Sequence, residues 1–93
     1  MIKHIVIWTL NHASDAERFK SQLETCRNLV PGMGVFEVAT KTAQLPSSGD
    51  VVLYSEFESA AALNAYQVHP HHQEVAAALG LLRQSRLHID YEA

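Results

Sequence analysis

The strand-like segments of this chain are apolar on both sides, and this limits its possible folds more than any other feature. In MIKHIVIWTL, residues 1 to 10, alternation sends Ile2, His4, Val6, Trp8 and Leu10 to one face and Lys3, Ile5, Ile7 and Thr9 to the other. In VVLYSEF, residues 51 to 57, Val51 and Leu53 oppose Val52 and Tyr54. A sheet with one wet face alternates apolar with polar residues, so these strands need cover on both sides. A chain of 93 residues has room for one modest core and helices enough for one face only. A second copy of the same sheet, in a two-fold homodimer, is the simplest cover for the other.

The remaining segments supply the helices. Ser14 and Glu17 have capping-box spacing, and behind them Ala16, Phe19, Leu23, Cys26 and Val30 recur as one helical stripe. Pro31-Gly32 is expected to stop that helix. A second strand, roughly Val35 to Thr40, leads into the turn-rich QLPSSGD and then the strand at 51–57. Ser59 can cap a short alanine-rich helix carrying Leu63 and Tyr66. His69-Pro70 breaks it, Pro70 suits the first turn of a further helix to about Leu82, and RLHIDY closes as a fourth strand. The order β-α-β-β-α-β predicts an α+β, ferredoxin-like fold, an antiparallel sheet with helices on one side. Residues 1–93 read as one domain, without repeat, linker or low-complexity segment.

Composition removes several classes of function. Net charge is −3 and the seven Lys and Arg are scattered, so no basic stripe is available for a phosphate backbone and nucleic acid is not expected as a partner. The apolar run IVIW near the start is far short of a signal-peptide core or a membrane span. One cysteine, Cys26, cannot form an internal disulfide, which suits a cytoplasmic, reducing setting. There is no Ser-His-Asp constellation and no glycine-rich phosphate loop, and no cofactor is expected.

The chemistry is concentrated in YQVHPHHQEV, residues 66 to 75. His69 precedes proline and is biased away from helical geometry. Beyond Pro70 the 3.6-residue period puts His72 on the stripe of Val75, Ala76 and Leu79, and His71 with Glu74 on the wetter side. His72 should therefore point inward from the first turn of a helix, where burial and the helix dipole both disfavour its protonation. A neutral inward imidazole can be a hydrogen-bonded core residue, and it is also what a general base requires. If the face of the first strand bearing His4 is the helix-covered one, His4, Tyr66 and His72 can converge on a single cavity. A metal site is not expected: His71 and His72 diverge by about 100° around the helix, and only Asp90 is available to join His4 and His72. Cys26 reads as core.

Three segments together, MIKHIVIWTL, DVVLYSEFESAAALNAYQVHPHHQEV and the closing IDYE, resemble the stress-responsive dimeric α/β-barrel (Dabb) family over essentially the whole chain. AYQ-x-HPxH with an N-terminal IKHIV carries most of that likeness. The resemblance implies a ferredoxin-like fold whose sheets pair across a dimer into an α/β barrel formed by two chains. A plant member of the olivetolic acid cyclase type closes a polyketide by aldol condensation without a cofactor. The likeness matches its working tyrosine and histidine to Tyr66 and His72, and its strand histidine to His4. By this reading His72, Tyr66 and His4 are the candidate catalytic groups, and Trp8, Phe19, Leu23, His69 and Asp90 the candidate substrate-binding residues. Helix residues Phe19, Leu23 and Cys26 suit a ligand smaller than a long polyketide. The expected function is a small, stress-related dimeric protein whose apolar pocket binds a small aromatic or carbonyl molecule. The alternative is a cofactor-independent acid–base enzyme, a cyclase, isomerase or dehydratase. Cofactor-free oxygenation is a third reading by fold analogy.

Overall fold

The computed structural model describes residues 1–93. Strand β1 (Ile2–Leu10) is followed by a 3-10 turn (Ala13–Asp15) and helix α1 (Ala16–Glu24), then by strands β2 (Met33–Thr40) and β3 (Val51–Phe57). Helices α2 (Ala60–Val68) and α3 (Pro70–Gly80) come next, and strand β4 (Arg83–Glu92) ends the chain. The sheet order is β2-β3-β1-β4 with every neighbouring pair antiparallel, which is the ferredoxin-like arrangement.

The face of β1 bearing His4, Val6, Trp8 and Leu10 is buried, and it is the face on which the helices lie. Val51, Leu53, Ser55 and Phe57 of β3 and Phe36 and Val38 of β2 share it. From the helices, Phe19, Leu23, Leu63, Tyr66, Val75 and Leu79 complete the core, with Cys26 just beyond α1. Each such large apolar side chain contributes on the order of 1.5–3 kcal/mol by leaving water. Phe19 packs on Trp8 with ring centroids 5.0 Å apart. Burial pushes the Cys26 thiol above its ordinary pKa, as befits a core residue and not a nucleophile.

The two faces of β4 are sorted the other way round. Arg86, His88 and Asp90 lie beside Trp8, Val6 and His4 on the helix-covered face. Leu87 and Ile89 lie beside Ile7 and Ile5 on the open face, where Leu87 is 71% exposed and Ile89 59%. Apolar residues outside and polar ones inside mark both faces of this strand for contacts beyond its own chain's core. No helix is long and apolar enough to cross a membrane.

Two local expectations are corrected. The Ser14–Glu17 capping box does not form: the 3-10 turn occupies Ala13–Asp15, and α1 starts from Asp15 without a side-chain cap. Helix α1 also ends at Glu24, well before Pro31. The Thr25 hydroxyl donates to the Gln22 carbonyl at 2.6 Å, and Asn28 takes a left-handed conformation (φ 58°) that ends the helical path. Arg27 donates to the Phe36 carbonyl at 2.5 Å and so ties this segment to β2. The break at His69-Pro70 falls where the sequence places it, and Ser59 caps α2 by accepting from the Ala62 N–H at 3.1 Å.

Candidate functional site

A cavity of about 230 Å3 lies between the sheet and helices α1–α3. His4, Tyr66 and His72 all line it, together with Trp8 and Leu23 and the apolar residues Val6, Leu53, Val75, Ala76 and Leu79. Each polar group arrives by a local rule. His4 is an inward position of β1. Tyr66 occupies the last turn of α2, on the same side as Leu63. His72 sits in the first turn of α3, on the side of Val75 and Leu79.

The break between α2 and α3 brings Tyr66 and His72 together. Pro70 cannot donate to the carbonyl of a preceding turn, so α2 stops and α3 restarts at a new angle. His69 bridges the two as N-cap of α3 (φ −60°, ψ 134°), its Nδ1 accepting from the His71 N–H at 3.1 Å. The Tyr66 and His72 rings then meet with centroids 4.5 Å apart. Tyr66 is fully buried against Phe57 and Phe36, yet its hydroxyl finds no hydrogen-bond partner within the chain. Burial holds its pKa well above the ordinary value, so it stays a protonated donor.

Both cavity imidazoles are neutral at pH 7 and oriented alike. Burial lowers the pKa of His72 below its ordinary 6.5, with smaller effects from the Gln67 carbonyl, which raises it, and from His4 and Arg86, which lower it. Its Nδ1 lies 3.1 Å from the Gln67 carbonyl oxygen, an acceptor only, so Nδ1 carries the proton and Nε2 is the basic nitrogen. His4 is 2% exposed and its pKa is lowered by burial, against the opposing pull of Asp90. Its Nδ1 is hydrogen-bonded to the Asp90 carboxylate, which again frees Nε2.

The structure does not bring every candidate to the wall. Phe19 is fully buried behind Trp8. His69 is taken up in capping, and Asp90 holds His4 from behind. His71, placed by periodicity on the wet side with Glu74, is partly covered instead, its Nε2 2.8 Å from the Thr25 hydroxyl. Sequence reasoning missed Arg83 and Arg86, which also line the cavity, and His88. The alternation of RLHIDY groups Arg86, His88 and Asp90 on one face, and the register of β4 against β1 turns that face toward the helices. A ring nitrogen of His88, one of His4 and a carboxylate oxygen of Asp90 lie within 4.8 Å of one another, the spacing of a group that could hold a metal ion. In the structure the Asp90 carboxylate serves both imidazoles, with His88 Nδ1 at 3.7 Å.

Fold and cavity together define a ferredoxin-like protein with a helix-covered cavity. The family model of the stress responsive A/B barrel domain (Dabb) matches residues 2–93, and the chain belongs to that family. Among solved structures it is similar to a Dabb-family protein with a ferredoxin-like fold from Mesorhizobium loti, at 27% identity and TM-score 0.80, over 99% of this chain and 95% of that one. It is also similar to a dimeric ferredoxin-like protein of unknown function from Bacteroides fragilis, at 26% identity and TM-score 0.82, over 99% and 95%. SnoaB, a cofactor-independent oxygenase from Streptomyces nogalater, shares the fold at 14% identity and TM-score 0.80, over 99% and 91%. No curated protein sequence matches the chain significantly.

Proposed function

We propose that residues 1–93 form a single Dabb domain that works as a homodimer and binds a small organic molecule, through a carbonyl oxygen, in the cavity of each chain. The observation that carries this reading is the Tyr66 hydroxyl, buried, unpartnered and set in the cavity wall beside His72. A buried hydroxyl without a partner costs about 1–3 kcal/mol, and a ligand carbonyl that accepts from it removes that cost. The volume suits one substituted ring or a short chain, since a cavity of roughly 150 Å3 already accepts benzene. The dimer is supported by the exposed apolar face of β1 and β4 and by relatives described as dimeric. A role in a stress response is supported by the family's description, and a reducing cytoplasm suits the free, buried Cys26.

The test is an NMR titration with acetophenone and ethyl acetoacetate, following the His72 ring signals. Saturable shifts in the wild type, weakened about tenfold in Tyr66→Phe, are expected, since one hydrogen bond is worth about 1 kcal/mol or a little more. Equal binding by both proteins would remove the carbonyl contact from the reading.

The orientation of His72 favours a second, catalytic reading of the same pocket. With Nδ1–H held by Gln67, Nε2 can take a proton from the carbon alpha to the bound carbonyl, while Tyr66 donates to the developing enolate oxygen. Return of a proton to carbon completes an isomerisation, and attack of the enolate on a second carbonyl completes a cyclisation. Enzyme-dependent exchange of the ligand's alpha protons for deuterium, abolished in His72→Ala, separates this reading from binding alone.

A further inference from the structure

The two arginines on the cavity wall have no role in the reading above, and they are its least balanced feature. Arg86 lies on β4 beside Trp8, and Arg83 follows the register shift beside Leu10. The side chains of both reach the cavity. Neither is within 4.0 Å of a carboxylate, and neither side chain donates a hydrogen bond to any group in the chain. The nearest acid on the same strand face, Asp90, is already engaged by His4 and His88. The other titratable groups on the wall, His4, His72 and Tyr66, are uncharged at pH 7, so the wall carries two cations and no anion.

We infer that Arg86, assisted by Arg83, anchors a carboxylate on the molecule that occupies this cavity, which makes the ligand a small carbonyl-containing acid. The inference rests on the pocket reading and names its substrate class. A guanidinium presents paired donors in a plane that matches a carboxylate, and it stays charged whatever the pH. Arg86 is exposed overall, but desolvation where it meets the cavity lowers its pKa, a penalty that a bound carboxylate would offset. The charge of Arg86 is felt at Tyr66 and His72, whose pKa values it pulls down against or along with the larger effect of burial. Tyr66, His72 and Arg86 line the same cavity, so one molecule can span the three groups, with its carboxylate on Arg86 and its carbonyl at Tyr66. The whole chain has a net charge of −3, so anions are not drawn to it in general and a local cationic wall is selective. A cavity of about 230 Å3 and a mostly apolar lining favour a compact acid over a nucleotide or sugar phosphate.

Calorimetric titration of the intact protein with benzoate, benzamide and inorganic phosphate tests this, in the wild type, Arg86→Gln and Arg86→Lys. The two aromatic probes match in size and differ in charge. The wild type should bind benzoate about tenfold or more tightly than benzamide. Arg86→Gln should lose that preference through weaker benzoate binding alone, and Arg86→Lys should recover part of it. Should Arg86→Gln fail to fold, judged by circular dichroism, a salt titration of the wild type replaces it: added salt must weaken benzoate and leave benzamide unchanged. Equal binding of benzoate and benzamide, or a preference that survives in Arg86→Gln, overturns the carboxylate anchor while leaving the pocket itself standing. Displacement of benzoate by an equal concentration of phosphate overturns it too, in favour of a general anion site. If neither aromatic probe binds, this inference and the pocket reading fall together.

Discussion

At the scale of single residues, Tyr66 sets binding against stability. Its hydroxyl lies in the core without a partner, so removing that oxygen relieves a desolvation cost and leaves the ring's contacts with Phe57, Phe36 and His72 in place. Tyr66→Phe should therefore be as stable as the wild type or more stable, by up to about 1 kcal/mol, while binding carbonyl ligands more weakly. Chemical denaturation measures the first change, and a destabilised variant would mean that the hydroxyl has a partner in solution. The histidines predict a pH dependence. His4 and His72 both titrate below 6.5 when folded and near 6.5 when unfolded. Between those values the unfolded chain holds more protons, so stability is flat above about pH 7 and falls as pH drops from 6.5 toward the folded values. Replacing His72 with Gln should make that acid slope shallower. The inward placement of His72 was legible in its spacing from Val75 and Leu79. Arg86 was not, because a charged residue near a strand start reads as solvent-facing until its register against Trp8 is known.

Among the elements, the junction of α2 and α3 positions the candidate site. It is held by Pro70 and by a histidine cap in a position where Asn, Asp or Ser is usual. His69→Ala should cost about 1 kcal/mol and loosen the Tyr66–His72 pairing, whereas His69→Asp should keep both, as thermal melts and ligand titration would show. If His69→Ala left stability and binding unchanged, Pro70 alone would define the break. This junction was readable because proline imposes it locally. The two ends of α1 were not, because tertiary partners decide them. Cys26, Leu29 and Val30 are buried or partly buried much as the stripe demands, but they reach the core from a turn that Thr25, Asn28 and Arg27 pull out of the helix. Hydrophobic periodicity reports which side chains face inward, and over Thr25–Val30 that burial is reached from tight i→i−3 turns and, after Asn28, from non-helical backbone.

In the molecule as a whole, the open face of the sheet is an apolar surface that a monomer leaves uncovered. Ile5 and Ile7 run beside Ile89 and Leu87 in register, and Tyr91 extends the patch next to Lys3. Two such faces meeting about a two-fold axis bury each other, and a charge at their centre must be left there unpaired. Ile89→Lys should therefore sediment at the 10.3 kDa of one chain under micromolar conditions in which the wild type sediments at twice that mass. A wild type that stays monomeric at micromolar concentration would remove the dimer from the proposed function. The same variant bears on the pocket, whose wall residues in this chain, from His4 to Arg86, lie on the opposite face of the sheet. A monomer that remains folded should keep its affinity for benzoate within a few-fold, because no wall residue depends on the open face. If Ile89→Lys folds but no longer binds, the second chain supports the cavity through the sheet, and pocket and dimer form one functional unit.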